Sequence, residues 1–186
     1  IHYDAVSDMD TVCNFTNHSY FNFSGVKNIC DYIVSIGADC YTPVDNHSIP
    51  TGDILSVEGT MYDFRKPRKV GTDYIDINYV LSDSYEYAAK VTDSETGITM
   101  YVKTDFPGLQ LYNGNYIGRC TGKYGIQYND QHGICFEPQL RSADFLKFDM
   151  GQVYMMIAFA IVPVIIVYIC LSKFIVRGVT LGGVKG

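Results

Sequence analysis

Along the first 149 residues, apolar and polar positions alternate in short steps. Runs rich in Tyr, Val, Ile and Thr are cut by Gly, Pro, Asn and Asp, the pattern of short strands and turns. The clearest pair is 87–92 (Y-A-A-K-V-T) and 98–104 (I-T-M-Y-V-K-T), joined by the polar stretch 93–97 (D-S-E-T-G). A polar turn ending in glycine between two such runs predicts a β-hairpin. Residues 31–36, 54–57 and 133–136 are further strand candidates, and Pro43, Pro50, Pro67 and Pro107 mark turns or edges. No segment before Asp149 carries a helical stripe, so the expected class is mainly β, an antiparallel β-sandwich.

At residue 150 the pattern changes. From Met150 to Ser172 no side chain is charged. About 20 apolar residues suffice to cross a bilayer as a helix. Pro163 falls mid-run, where a membrane helix tolerates it, and Tyr154 and Tyr168 suit the interfaces. One or two buried strands are the alternative, but strands average only about 5–6 residues. The division expected is therefore 1–149, a β-sandwich portion, and 150–186, a tail with one transmembrane α-helix contacting the membrane through 150–172. Lys173, Arg177 and Lys185 after the run outnumber Arg141 and Lys147 just before it, which places the C-terminus in the cytoplasm. A single span would then leave 1–149 outside. Yet the first ten residues show no basic region followed by an apolar run, so no signal peptide is expected and a cytoplasmic location is. The two expectations conflict.

Composition narrows the partners. The net charge of −6 and pI near 5.0 argue against a phosphate-backbone binder, so no nucleic acid is expected. The six cysteines, at 13, 30, 40, 120, 135 and 170, form no C-x-x-C pair. No metal site is expected, and the thiols are expected to be reduced and mostly buried. Asn-x-Ser/Thr triplets begin at Asn14, Asn17, Asn22 and Asn46. Without a secretory route they are expected to stay unmodified.

Six segments carry the chemistry. In chain order they are 14–25 (N-F-T-N-H-S-Y-F-N-F-S-G), 38–45 (A-D-C-Y-T-P-V-D) with 49–53 (I-P-T-G-D), 59–65 (G-T-M-Y-D-F-R), 76–81 (D-I-N-Y-V-L), 107–115 (P-G-L-Q-L-Y-N-G-N) and 134–139 (I-C-F-E-P-Q). Together and in this order they resemble the blocks of the galactose mutarotase, or aldose 1-epimerase, family. The resemblance implies interconversion of the α and β anomers of a free hexose such as galactose or glucose. Opening a pyranose needs a base for the C1 hydroxyl proton and an acid for the ring oxygen, and reclosure reverses both. A histidine, whose imidazole titrates near neutrality, and a glutamate suffice, with no metal or cofactor. The resemblance makes His18 the acid and Glu137 the base, has Asp76 accept hydrogen bonds from sugar hydroxyls, and puts Gln110, Tyr112 and Asn115 near the sugar. Taken alone, each is open to a plainer account. His18 could be a core or turn histidine, Glu137 an ion-pair or surface residue, and Asp76 a turn residue. His2, His47 and His132 match no block and are expected at the surface.

The chain also departs from the family. Members are much longer, and the blocks here are those of their C-terminal half. No His-Gly-Gly, which marks the upstream half, occurs. Ile77 stands where the family usually has a histidine, and Pro138 separates Glu137 from Gln139. Half a sandwich leaves strand edges open to self-association. Two alternatives follow: a non-catalytic carbohydrate-binding module, and a membrane component of a sugar transporter. The second rests on 163–168 (P-V-I-I-V-Y) and 173–186 (K-F-I-V-R-G-V-T-L-G-G-V-K-G), which resemble the C-terminal end of carbohydrate ABC-transporter permeases. The chain is therefore expected to be a mutarotase fragment fused, near residues 145–150, to a permease-like tail.

Overall fold

The computed structural model describes residues 1–141, Asp144 and Ile161. Among these, the strands in chain order are β1 (Ile33–Ile36), β2 (Cys40–Thr42), β3 (Leu55–Ser56), β4 (Arg68–Lys69), β5 (Asp76–Val80), β6 (Ala89–Thr92), β7 (Thr99–Val102), β8 (Gly108–Tyr112), β9 (Cys120–Thr121), β10 (Gln127–Tyr128) and β11 (Cys135–Gln139). They form a four-stranded sheet in the order β4-β1-β6-β7, a five-stranded sheet in the order β11-β8-β5-β2-β3, and the small pair β10-β9. Every strand pairing is antiparallel.

The expected hairpin forms as β6 and β7, with Ala89 opposite Val102 and Thr92 opposite Thr99. Its turn is closed by Asp93 N–H donating to Ile98 O at 3.0 Å and Gly97 N–H to Asp93 O at 2.9 Å. Gly97 has φ of 74°, a left-handed backbone that favours glycine. The other candidates shift. The strand expected at 31–36 begins only at Ile33, because Tyr32 N–H turns back to Ile29 O at 3.0 Å. The strand expected at 133–136 instead runs Cys135–Gln139 and passes through Pro138. A proline is tolerated there because β11 ladders with β8 alone and needs no donor on its other side.

The inner faces of the two large sheets meet in one apolar cluster. Val34, Ile36, Ala89 and Val91 come from the four-stranded sheet, and Tyr41, Ile77, Tyr79, Leu109, Leu111 and Phe136 from the five-stranded one. Burying each such Ile or Leu contributes about 1.5–3 kcal/mol. Ile77 is 2% exposed and faces this core.

The thiol expectation is corrected. Among the described cysteines Cys135 is buried, Cys30 and Cys40 are half-buried, and Cys13 and Cys120 are exposed. The exposed two sit outside the large sheets, where no apolar face covers them. His2 and His47 are exposed as expected, but His132 is half-buried, its carbonyl held by Asn22 Nδ2 at 2.8 Å. The compact unit holding the sheets ends at Leu146. The boundary expected near 149, the apolar run 150–172, the permease-like 173–186 and Cys170 lie outside the described residues. Among those described, no helix is long and apolar enough to cross a membrane.

Candidate active site

Strand alternation builds the site. On β5 and β8 the odd-numbered residues Ile77, Tyr79, Leu109 and Leu111, and on β11 the even-numbered Phe136, enter the core, and the residues alternating with them face the other side. Register makes the polar side continuous. Gln110 lies opposite both Asn78 and Glu137, and Tyr112 opposite both Asp76 and Cys135. One face of the five-stranded sheet is thus core, and the other presents Asp76, Gln110, Tyr112, Glu137 and Gln139.

His18 arrives from a separate segment. Phe21 and Ile134 exchange backbone hydrogen bonds at 2.9 and 3.0 Å, an isolated antiparallel bridge. Asn14 Oδ1 accepts the Leu140 N–H at 2.9 Å. The chain between Asn14 and Phe21 is therefore laid antiparallel along β11. Continued from the Phe21–Ile134 bridge, that register sets Tyr20 against Cys135 and His18 against Glu137. The side chains make the second contact, with His18 Nε2 3.2 Å from Glu137 Oε1. The imidazole ring lies 5.1 Å from Tyr20 and 6.1 Å from Tyr112, centroid to centroid. Asn22 shapes the loop that follows. Its Oδ1 accepts the Gly25 N–H at 2.8 Å, and its Nδ2 donates to Lys27 O at 2.7 Å.

The hollow over this face has a volume of about 470 Å³ and is lined by His18, Tyr20, Asp76, Gln110, Tyr112, Tyr116, Glu137 and Gln139. Small-molecule sites run to roughly 300–1,000 Å³. A chain of hydrogen bonds crosses its floor. Gln139 Nε2 donates to Gln110 Oε1 at 3.2 Å, and Gln110 Nε2 to Asp76 Oδ1 at 2.7 Å. Tyr74 donates to Asp76 Oδ2 at 3.3 Å, and Tyr116 N–H to Tyr112 Oη at 2.8 Å.

The electrostatics follow from burial. The Glu137 side chain is 9% exposed and that of His18 49%. Burial raises the Glu137 carboxyl above its ordinary value, and Asp76 adds to the rise, while the His18 charge opposes it. Tyr20 and Tyr112 are also raised, first by burial, so both serve as neutral hydroxyls. Burial, with the charges of Glu137 and Asp76, pushes the Cys135 thiol up to about 12.

The structure brings five of the six sequence-derived residues, His18, Asp76, Gln110, Tyr112 and Glu137, into this hollow. Asn115 is not among the lining side chains, and its amide bonds to Asn113 instead. Tyr20, Tyr116 and Gln139 were missed. Gln139 follows Glu137 by two, so strand parity could have found it, had the strand not been ended before Pro138. Tyr116 lies in a loop with no period to reveal it.

The aldose 1-epimerase family description matches residues 1–141. The chain belongs to that family. It is 44% identical over 151 residues to a galactose mutarotase of Mus musculus, covering 75% of this chain and 44% of the mouse protein. It is 30% identical over 154 residues to an aldose 1-epimerase of Escherichia coli, again covering 75% of this chain and 44% of that protein. The chain thus spans less than half the length of these curated relatives. Among solved structures, it is similar to galactose 1-epimerase from Lactobacillus acidophilus, with TM-score 0.62, 30% identity, and 73% of this chain and 42% of that one covered. It is also similar to an aldose epimerase homologue from C. elegans, with TM-score 0.64, 27% identity, and 70% and 42% covered. The mainly-β, antiparallel architecture is that of these epimerase-family relatives.

Proposed function

We propose that the chain interconverts the anomers of a free hexose such as galactose or glucose. The observation that carries this is the His18–Glu137 pair, 3.2 Å apart, over a sheet face whose remaining polar groups are hydrogen-bonding partners for hydroxyls. In the opening step Glu137 takes the C1 hydroxyl proton while His18 gives its proton to the ring oxygen. The bond from C1 to the ring oxygen breaks and a C1 carbonyl forms. After rotation about C1–C2, the freed hydroxyl attacks the other carbonyl face. His18 recovers its proton from that hydroxyl, and Glu137 returns its own to the new C1 hydroxyl. Both groups end as they began, so neither metal nor cofactor is needed for the proton balance. The sugar has to enter between two side chains now in contact, and the half-exposed His18 is the one free to swing. Asp76, with Gln110 behind it, would accept hydrogen bonds from sugar hydroxyls, and Tyr20, Tyr112 and Tyr116 would cover the C–H faces.

Polarimetry of freshly dissolved α-galactose with the full chain tests this. The expected result is acceleration over buffer, lost by about 10²–10⁴-fold in Glu137→Gln and in His18→Ala. No acceleration by the parent chain rejects catalysis here. A binding module is then the second reading, favoured by an open hollow whose floor is hydrogen-bonding side chains of one sheet. With no Trp and 16 Tyr, sugar-dependent tyrosine fluorescence would report it. For the tail, the uncharged run 150–172 supports a membrane span and with it a part in sugar uptake. Recovery of the chain in soluble extract without detergent would reject the span.

A further inference from the structure

The proton transfers leave one buried nucleophile in the site without a task. Cys135 precedes Glu137 by two residues on β11, so strand alternation sets thiol and carboxylate on the same face. The segment clamped at Phe21–Ile134 lays His18 over both. One donor atom from each of His18, Cys135 and Glu137 lies within 4.8 Å of the other two, and His18 Nε2 is already 3.2 Å from Glu137 Oε1. Ligands held tetrahedrally around zinc, at about 2.0–2.3 Å from the metal, stand roughly 3.3–3.8 Å apart. Side-chain adjustment of about 1 Å at most brings even a separation of 4.8 Å, the upper bound here, to the coordinating range.

We propose that His18, Cys135 and Glu137 form a binding site for a thiophilic divalent cation of the zinc type, which competes with the sugar. The competition rests on the proposed roles of His18 and Glu137: a cation on their lone pairs leaves neither able to move a proton. The donor set is one nitrogen, one sulfur and one oxygen, which selects zinc or cadmium over magnesium or calcium. The fourth tetrahedral position faces the hollow and would hold water, as in zinc sites that stay open. The Asp76 carboxylate, which lines the same hollow as His18 and Glu137, adds negative charge that favours a cation.

The test uses the full chain and two readouts. Titration with Cd²⁺ is followed by thiolate-to-metal charge-transfer absorption in the ultraviolet, and Zn²⁺ is added to the polarimetric assay. The expected result is a band saturating at one Cd²⁺ per chain and weakened by galactose, with inhibition by Zn²⁺ that galactose relieves. Cys135→Ala should abolish the band and raise the zinc needed for half-inhibition by about tenfold or more. The Cys13→Ala/Cys120→Ala double variant should keep both. Inhibition is read as a ratio within each variant, so a change in basal rate cancels. Cys135→Ser, closer in volume, replaces the alanine variant if that one does not fold. A band that survives loss of Cys135, a band lost with Cys13 and Cys120, or a band indifferent to galactose overturns the site. An active chain with no band rejects the cation site alone. A galactose-sensitive band on a chain with no mutarotation supports the site and rejects the catalytic reading alone.

Discussion

Glu137 is the residue on which pH acts most directly. Burial lifts its carboxyl, Asp76 lifts it further, and the His18 charge pulls it back, with a net rise above 4.5. As the proposed base it works only when ionised, so acceleration should fall as pH drops through the raised value. The acid limb of kcat/KM, measured by polarimetry, is expected above the ordinary glutamate range, and Asp76→Asn should move it down. The stability consequence has the opposite sign to that of a paired surface carboxylate. The native state holds the Glu137 proton more tightly than the unfolded chain. Its contribution is therefore full below the unfolded glutamate value and is lost as pH rises through the native one. His18, Asp76 and Glu137 were legible because each sits inside a motif block. Tyr20 and Gln139 sit inside blocks too but were passed over, since each lines the hollow only because the residue two positions back, His18 or Glu137, faces it.

At the level of elements, the alternation along β5, β8 and β11 separates core from site and leaves two positions under constraint. Gly114 follows β8 with φ of 74°, and a Cβ there would meet Gly133 O at 2.4 Å. Gly114→Ala should cost at least about 1–2 kcal/mol for the left-handed backbone alone, seen as a lower unfolding midpoint. Because Gly114 O accepts both the Ile117 and the Gln131 N–H, the variant should also weaken sugar binding by loosening the loop that carries Tyr116. Asn78, 2% exposed in mid-β5, has no hydrogen-bond partner for either side-chain polar atom. An unsatisfied buried amide costs about 1–3 kcal/mol. Asn78→Leu, similar in branching, should therefore raise the urea midpoint, and a fall would mean that the amide is solvated in the native state. The hairpin β6–β7 was readable because its turn chemistry is local. β11 was misplaced because a proline signals a strand end unless the strand is known to lie at an edge, and edge position belongs to the sheet.

For the molecule as a whole, β7 and β4 end one large sheet and β3 ends the other, and among the described residues no strand pairs with their outer edges. Tyr101 on β7 is 50% exposed. Open edges with apolar side chains recruit further strands. Sedimentation velocity should show concentration-dependent association, reduced by Tyr101→Lys, which puts a charge on the edge. A chain that sediments as a monomer at every concentration would remove this prediction.

Local information settled much of this protein in advance. Period-two alternation and turn residues pointed to a mainly-β, antiparallel chain, and the order of the motif blocks pointed to the family, with His18, Asp76 and Glu137 as candidate site residues. These depend on neighbours a few positions apart, which any reader of the sequence can see. Tertiary structure alone decided that the segment Asn14 to Phe21 lies along β11 and that Cys135 joins His18 and Glu137. It also decided that Asn115 turns away and that two thiols stay exposed. Those outcomes depend on how distant stretches of chain close on one another, and the geometry of that closure leaves no period in the sequence.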